Sequence, residues 1–141
     1  MKNVNENKDA EVKMIKHFIK DLSFENPQDV NQNNPNFNNN NDIVVNMNVI
    51  YEPYNRNSFG LILKYTYDCS SKESKQTLCH LELDYFGFFK ILIENFDQKT
   101  ITQHGLKLIF PYAKEIIEDI TLKGGSIPIS LKDIDFNLIE I

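Results

Sequence analysis

The residues best suited to chemistry in this chain are three histidines and two cysteines: His17, His80, His104, Cys69 and Cys79. Cys79 and His80 are neighbours, and in a strand they would point to opposite faces, so they cannot both bind one metal ion from there. The other candidates lie far apart in the sequence. Two cysteines do not make a disulfide framework, and their number suits a reducing compartment.

The common motifs of metal, nucleotide and nucleophilic sites do not occur in the sequence, which has no HExxH, CxxC, EF-hand, GxSxG, P-loop or GxGxxG pattern. Gly124 and Gly125 follow a predicted helix, where a cap is expected, whereas a phosphate-binding loop would precede one. A Cys–His pair assembled by the fold stays open, although nothing local supports an activated thiol. We therefore expect a protein that is not an enzyme, with no catalytic residues, no metal site and no cofactor.

Length and charge narrow the class of protein further. The chain has 141 residues, enough for one domain, and a formal net charge of −5. This charge argues against nucleic acid as a partner and permits a basic protein partner. The polar N-terminus is not a signal peptide, and the longest apolar run, Tyr85 to Ile93, is interrupted by Lys90 and is too short to insert into a membrane. We expect a cytoplasmic protein.

One long helix is the strongest structural prediction. From Leu106 to Gly125, apolar residues recur with a helical period and form one broad face, and the two glycines end the segment. Pro111 either starts the regular part of the helix or kinks it. A face this wide must pack against something, and the strands before it offer the only large apolar surface.

The strands are predicted from alternation. Residues 43–51, 59–67 and about 74–89 alternate apolar and polar side chains and are joined by short turns, which predicts an antiparallel meander. Gly87 interrupts the last strand and suggests a bulge there. Residues 90–105 form a mixed segment, and an Asn-rich loop covers residues 31–42.

The segment from Glu11 to Phe24 is also predicted to be a strand, with a helix as the alternative. Counting along it places Phe18 on one face with Val12 and Met14, and places Ile15 and Ile19 on the other. Together these elements predict an α+β fold, with a four-stranded antiparallel sheet and a long packing helix. We expect residues 1–10 to be a disordered tail and residues 11–141 to form a single domain.

Two stretches resemble the SecB family of bacterial protein-export chaperones. FIKDLSFENP, from Phe18 to Pro27, is similar to a family signature that ends in Ser-Phe-Glu-x-Pro, and LIFPYAKEIIEDITLKGG, from Leu108 to Gly125, is similar to the family's LFPYAR helix. LELDYFGFFKI, from Leu81 to Ile91, lines up with a third family stretch. The resemblance runs from about Phe18 to Phe136.

The resemblance implies a chaperone that holds unfolded precursor proteins and delivers them to the translocation motor SecA. It implies a homotetramer, a dimer of dimers, in which two protomers join their sheets and two such dimers enclose the long helices. It also implies roles for particular residues. These are SecA binding by Asp21, Glu25 and Glu82, and subunit contact by Leu81, Leu83 and Tyr85. We add Phe37, Phe86 and Phe88 as candidates for client binding, because a holdase needs exposed apolar surface.

Two alternatives stay open, and departures from the family pattern favour the first of them. His80 stands where the family has an aliphatic residue, Phe37 is nearly alone in the crossover loop, and the sequence ends at Ile141 without the family's usual polar tail. One alternative is a SecB-like chaperone of a toxin–antitoxin system. The other is a small-ligand-binding protein with a pocket between helix and sheet.

Overall fold

The computed structural model describes residues 11–27 and 41–124, and these form a four-stranded antiparallel sheet covered by one long helix. The strands and the helix are β1 Val12–Glu25, β2 Asn41–Asn55, β3 Ser58–Ser71, β4 Thr77–Ile91 and α1 Gln98–Lys123. The predicted fold class is confirmed. The predicted tail, Phe37 and the segment after Gly124 lie outside the described residues. Asn41 and Asp42, predicted as part of the loop, belong to β2.

The order of the strands in the sheet is β1-β4-β3-β2. β2, β3 and β4 form the predicted meander of two hairpins, and β1 pairs antiparallel with β4. β1 and β2 are therefore the two edge strands. One face of the sheet carries α1, which packs against β4, β1 and β3. We call the opposite face the open face.

The core lies between α1 and the sheet because the alternating apolar side chains of β3 and β4 point toward the helix. Leu61, Leu83, Phe89, Leu106 and Ile109 are fully buried there. The Phe59 ring stacks on the Phe89 ring, with 5.2 Å between ring centroids. These side chains occupy the interface between helix and sheet where the small-ligand alternative places its pocket.

Gly87 does not mark a bulge, and that prediction is wrong. β4 runs without a register shift past Gly87, which lies opposite Leu61 of β3 and His17 of β1. A Cβ atom at Gly87 would lie 2.7 Å from the Ile109 Cγ2 atom. The glycine is there because the helix lies against the backbone of β4 at this point.

Two register shifts lie in the neighbouring strand β1 instead, between Met14 and Lys16 and again between Ile19 and Asp21. Each shift reverses the faces that the following residues occupy. Phe18 pairs with Phe86 and lies on the open face, whereas Ile19 pairs with Tyr85 on the helix side. The predicted faces of Phe18 and Ile19 were therefore wrong, because alternation was counted through a bulge.

The helix begins earlier than predicted. It starts at Gln98 rather than near Leu106, because Asp97 is extended and its carboxylate accepts a hydrogen bond from the Thr100 backbone N–H at 3.3 Å. Pro111 lies inside the helix on its exposed side and does not start it. The helix ends at Gly124, as predicted, and the Gly124 N–H donates to the Ile120 carbonyl at 2.8 Å.

Candidate functional site

The open face carries the sites predicted on β1 and β4, because alternate residues of these strands project away from α1. Asp21 lies opposite Asp84, Ser23 opposite Glu82, and Glu25 opposite His80. The three carboxylates predicted to bind a partner, Asp21, Glu25 and Glu82, therefore lie on one face of two paired strands. All three side chains are exposed.

The fold adds two carboxylates that were not assigned to the site from the sequence. Asp84 follows Glu82 on the same face of β4, and Asp68 of β3 lies opposite His80. We call the resulting set the acidic patch: Asp21, Glu25, Asp68, Glu82 and Asp84. Asp84 shares a face with Glu82 because the side-chain period of a strand is two, whereas only the pairing of β3 with β4 brings Asp68 into the patch.

Lys64 and His80 lie among the carboxylates of the acidic patch and pair with three of them. The Lys64 ammonium donates to the Asp84 carboxylate at 2.8 Å, and this hydrogen bond is the main reason that the pKa of Lys64 is raised. The His80 ring contacts Asp68 through Nδ1 and Glu82 through Nε2, the latter at 3.0 Å. The hydrogen bonds with Asp68 and then Glu82 raise the pKa of His80. The patch still has more carboxylates than cations.

The acidic patch lines one side of a shallow depression, and the residues on its other side are also polar. Asn46 and Asn48 of β2 and Thr66 of β3 line it beside Lys64. The carboxylates, amides and hydroxyl that line this depression supply hydrogen-bond acceptors. This arrangement suits a ligand that brings positive charge and N–H donors.

A cluster of aromatic side chains lies on the open face directly beside the acidic patch. Phe18 and Phe86 pack with 5.0 Å between ring centroids, and Tyr54 meets Phe88 edge-on at 5.3 Å. We call Phe18, Tyr54, Phe86 and Phe88 the aromatic patch. On the open face, the cross-strand pair next to Phe18–Phe86 in the direction of Glu25 is Asp21–Asp84. The two patches are therefore continuous.

The structure places two of the three predicted client-binding residues in this aromatic patch. Phe86 is buried and Phe88 is partly buried, while Phe37 lies outside the described residues. Phe18 and Tyr54 are the more exposed members, and the sequence prediction missed both. The bulges in β1 hid the position of Phe18, and Tyr54 reaches Phe88 across two strand pairings that no local pattern reveals.

The residues predicted to contact other subunits lie in the core of the protomer. Leu81, Leu83 and Tyr85 point toward α1 and are buried. The Tyr85 hydroxyl lies 2.6 Å from His17 Nδ1, and the Tyr85 ring is parallel to the Tyr112 ring at 6.5 Å. The structure accounts for all three as core residues, and their role in subunit contact stays a prediction.

A second apolar surface lies along the β1 edge and the neighbouring side of α1. Its members are the exposed side chains Ile15, Ile19, Leu108 and Tyr112, which we call the edge surface. Tyr112 covers His17 with 4.2 Å between ring centroids and so joins the helix to the edge strand. Exposed apolar side chains grouped beside a strand edge that has no partner among residues 11–27 and 41–124 are typical of an assembly surface.

Among the remaining candidates for chemistry, Cys69 of β3 and Cys79 of β4 lie opposite each other in the sheet. Cys79 faces α1 and His80 the open face, as predicted, and His104 pairs with Glu11 at 3.0 Å. Within residues 11–27 and 41–124, no group of three or more His, Cys, Asp or Glu side chains could hold a metal ion. No helix in the same ranges is long and apolar enough to cross a membrane.

Comparison with known proteins gives one consistent family. The model of the family described as "Preprotein translocase subunit SecB" matches residues 5–139. The protein-export protein SecB of Bartonella quintana is 30% identical over 132 residues, covering 87% of this chain and 77% of that protein. The SecB protein of Agrobacterium fabrum is 33% identical over 137 residues, covering 88% and 77%.

A solved structure supports the fold. The chain is similar to the SecB-like chaperone of Mycobacterium tuberculosis, solved in complex with a ChAD peptide from an antitoxin, with a TM-score of 0.62. The match covers 89% of this chain and 92% of that one. The sequence identity is 13%, so this likeness concerns the fold alone.

Proposed function

The chain belongs to the SecB family, and we propose that it is a chaperone that holds unfolded precursor proteins and delivers them to SecA. The observation that carries this proposal is the open face, where an exposed aromatic patch continues into an acidic patch. Both patches provide binding groups, so the proposed activity is binding without catalysis. We place the protein in the cytoplasm, where precursors are held before export.

Client binding is assigned to the aromatic patch. An unfolded chain exposes apolar side chains, and their burial against Phe18, Tyr54 and Phe88 removes apolar area from water at about 25 cal/mol per Å². No fixed sequence is required for such burial, which suits a protein that receives many precursors. Phe37 stays a further candidate for this role.

Delivery is assigned to the acidic patch. We propose that Asp21, Glu25 and Glu82 bind a basic segment of SecA, since opposite charges set encounter rate and orientation. The Asn46 and Asn48 amides beside the patch give such a segment hydrogen-bond partners. The interaction weakens with salt because the carboxylates are exposed.

We also propose that the protein assembles as a homotetramer, a dimer of dimers. The exposed Ile19, Leu108 and Tyr112 favour self-association through the edge surface. Leu81, Leu83 and Tyr85 support this surface from beneath, with Tyr85 in contact with both His17 and Tyr112. Several binding faces on one particle would add avidity for a long unfolded chain.

The client proposal is tested by titrating a permanently unfolded polypeptide into the purified protein and variants. Phe18→Ser should weaken binding about tenfold, because a large apolar contact is lost. Phe96→Ser is a matched control, since Phe18 and Phe96 are each 40% exposed but Phe96 lies between β4 and α1. Equal affinities for the two variants would exclude the aromatic patch as the client site.

The delivery proposal is tested by SecA binding at low salt. Reversing three charges with Asp21→Lys, Glu25→Lys and Glu82→Lys should lower affinity by about 100-fold, as attraction is replaced by repulsion. The control reverses three other exposed carboxylates, Glu73, Glu94 and Glu115, and so makes the same change in net charge. If both triple variants bind SecA alike, the acidic patch is not the SecA site.

A further inference from the structure

The open face carries a third group of side chains, at the end opposite the acidic patch. Lys13 of β1 lies opposite Lys90 of β4, and Lys16 lies one row nearer the aromatic patch. Lys90 points to the open face because it is two residues after Phe88, and the pairing places Lys13 beside it. The Lys16 ammonium lies 5.5 Å from the Phe18 ring centroid on the same face. All three lysines are exposed, and we call Lys13, Lys16 and Lys90 the basic patch.

A continuous apolar row separates the basic patch from the acidic patch. Phe18 pairs with Phe86, Phe86 with Ile62, and Ile62 with Ile50, so the row crosses all four strands. Phe18 and Ile50, at the two ends of the row, are 40% and 39% exposed. Glu52 also lies at the basic end, but on β2 at the other edge of the sheet. Along β1 and β4, the order on the open face is therefore positive, apolar and negative.

This order makes the open face complementary to a second copy of itself. A two-fold axis that lies between two stacked sheets and runs along the apolar row reverses the strand direction of the second copy. The two apolar rows then meet, and the basic patch of each copy lies over the acidic patch of the other. Lys16 and Asp21 are each one row from Phe18, so they face each other across the contact. Lys90 and Glu82, each two rows from Phe86, do the same.

The open face is also large enough for a stable contact. β1 and β4 contribute six cross-strand pairs to it: Lys13–Lys90, Lys16–Phe88, Phe18–Phe86, Asp21–Asp84, Ser23–Glu82 and Glu25–His80. Successive pairs on one face are about 6.8 Å apart and strands about 4.8 Å apart, so the face spans about 34 Å by about 14 Å. With one further spacing in each direction for the side chains at the margins, it covers on the order of 800 Å². Each partner contributes about this area to a standard interface.

We propose that the open face binds the open face of a second copy of this chain in a two-fold symmetric contact. Stacked sheets lie about 10 Å apart with strand directions within about 30° of each other, so side chains from the two faces interdigitate. Burial of the apolar row stabilises the contact, and the pairing of opposite charges fixes its direction.

The contact covers the aromatic patch and the acidic patch together. A paired copy cannot bind an unfolded segment or a basic partner through this face, so pairing competes with both interactions. The charges are screened at the ionic strength of the cell, where the Debye length is about 8 Å, and the pairing is reversible there. The contact uses a surface different from the edge surface, and the inference does not rest on the proposed chaperone activity.

The test is light scattering of the full chain at several protein concentrations, in about 20 mM and about 500 mM salt. The mass at low salt should be at least twice the mass at high salt, and the difference should grow with protein concentration. High salt screens the charges but leaves the apolar contacts of the edge surface in place, so it gives the mass without open-face pairing.

Two charge-reversed variants test the direction of the contact. Lys16→Glu with Lys90→Glu, and separately Asp21→Lys with Glu82→Lys, should each stay at the high-salt mass in low salt, because like charges then face each other. An equimolar mixture of the two variants should recover the wild-type mass, since every facing pair again has opposite charges. The control, Lys99→Glu with Lys107→Glu, makes the same charge change on exposed positions of α1 and should behave as wild type.

The proposal is overturned if the wild-type mass is the same at both salt concentrations. It is also overturned if the control variant loses the association as fully as the open-face variants do, or if the mixture stays at the high-salt mass. Circular dichroism of each variant shows that it is folded, and the wild-type salt comparison decides the question without any substitution.

Discussion

The contact of α1 with β4 at Gly87 gives a sharp prediction for Gly87→Ala. A methyl group there would lie 2.7 Å from Ile109 Cγ2 and 2.8 Å from carbon atoms of the Phe89 ring. Both neighbours are fully buried, so neither can turn into solvent. Overpacking of a closed core costs about 1–3 kcal/mol, while restricting the unfolded chain returns about 0.5 kcal/mol. We expect a net loss of about 1.5 kcal/mol in the free energy of unfolding.

Gly60→Ala is the matched control on the other face of the sheet. A methyl group at Gly60 would lie 2.8 Å from a Tyr54 ring carbon and 2.9 Å from a Phe86 ring carbon. The contacts are equally short, but Tyr54 is more than half exposed and can move aside, so that only the buried Phe86 ring has to shift against its neighbours. We expect a loss below about 1 kcal/mol for this variant.

Urea unfolding followed by circular dichroism measures both variants, with all samples at one protein concentration because assembly adds to apparent stability. Gly87→Ala should have the lower midpoint, with an unchanged slope. If Gly87→Ala is as stable as Gly60→Ala or more so, then α1 does not press against the β4 backbone, and the reason given for Gly87 is wrong.

Two further predictions concern a helix cap and a histidine. Asp97→Ala should lower stability by about 1 kcal/mol, as the bond to the Thr100 N–H is lost, whereas Asp97→Asn should stay near wild type in the same urea assay. The fold raises the pKa of His80 through its pairing with Asp68 and Glu82. This pairing therefore stabilises the protein fully below the unfolded pKa of about 6.5. The stabilisation is lost as the pH rises through the folded pKa. His80→Asn should therefore lower the thermal midpoint more at about pH 5.5 than at about pH 8.5; an equal effect at both pH values would contradict the assigned pairing.

Alternation identified β2, β3 and β4, because the side-chain period of a strand is two. β3 and β4 each have a buried face and a more exposed face, whereas no residue of β2 is buried. The same rule failed in β1, where two bulges reverse the faces of Phe18 and Ile19. A bulge forms by pairing with β4, and a single strand's sequence does not contain that information. The helix start was missed because His104, Gly105 and Pro111 weaken the helical pattern.

The acidic half of the candidate site was more predictable than the aromatic half. Asp21, Glu25 and Glu82 were named from the family resemblance, and the pairing of β1 with β4 places them on one face. Phe86 and Phe88 were named as apolar candidates, but Phe18 and Tyr54 join them only through contacts across the sheet. The pairing of β1 with β4 brings Asp21, Glu25 and Phe18 to their sites, whereas Tyr54 depends on the β2–β3–β4 meander.

The central claim, that this protein is an assembled holdase, is tested most directly by light scattering on a sizing column, with and without a permanently unfolded polypeptide. We predict a tetramer that elutes together with the polypeptide and gains its mass. A monomer or dimer that leaves the polypeptide unbound would contradict the proposed function and leave the SecB fold without the chaperone activity.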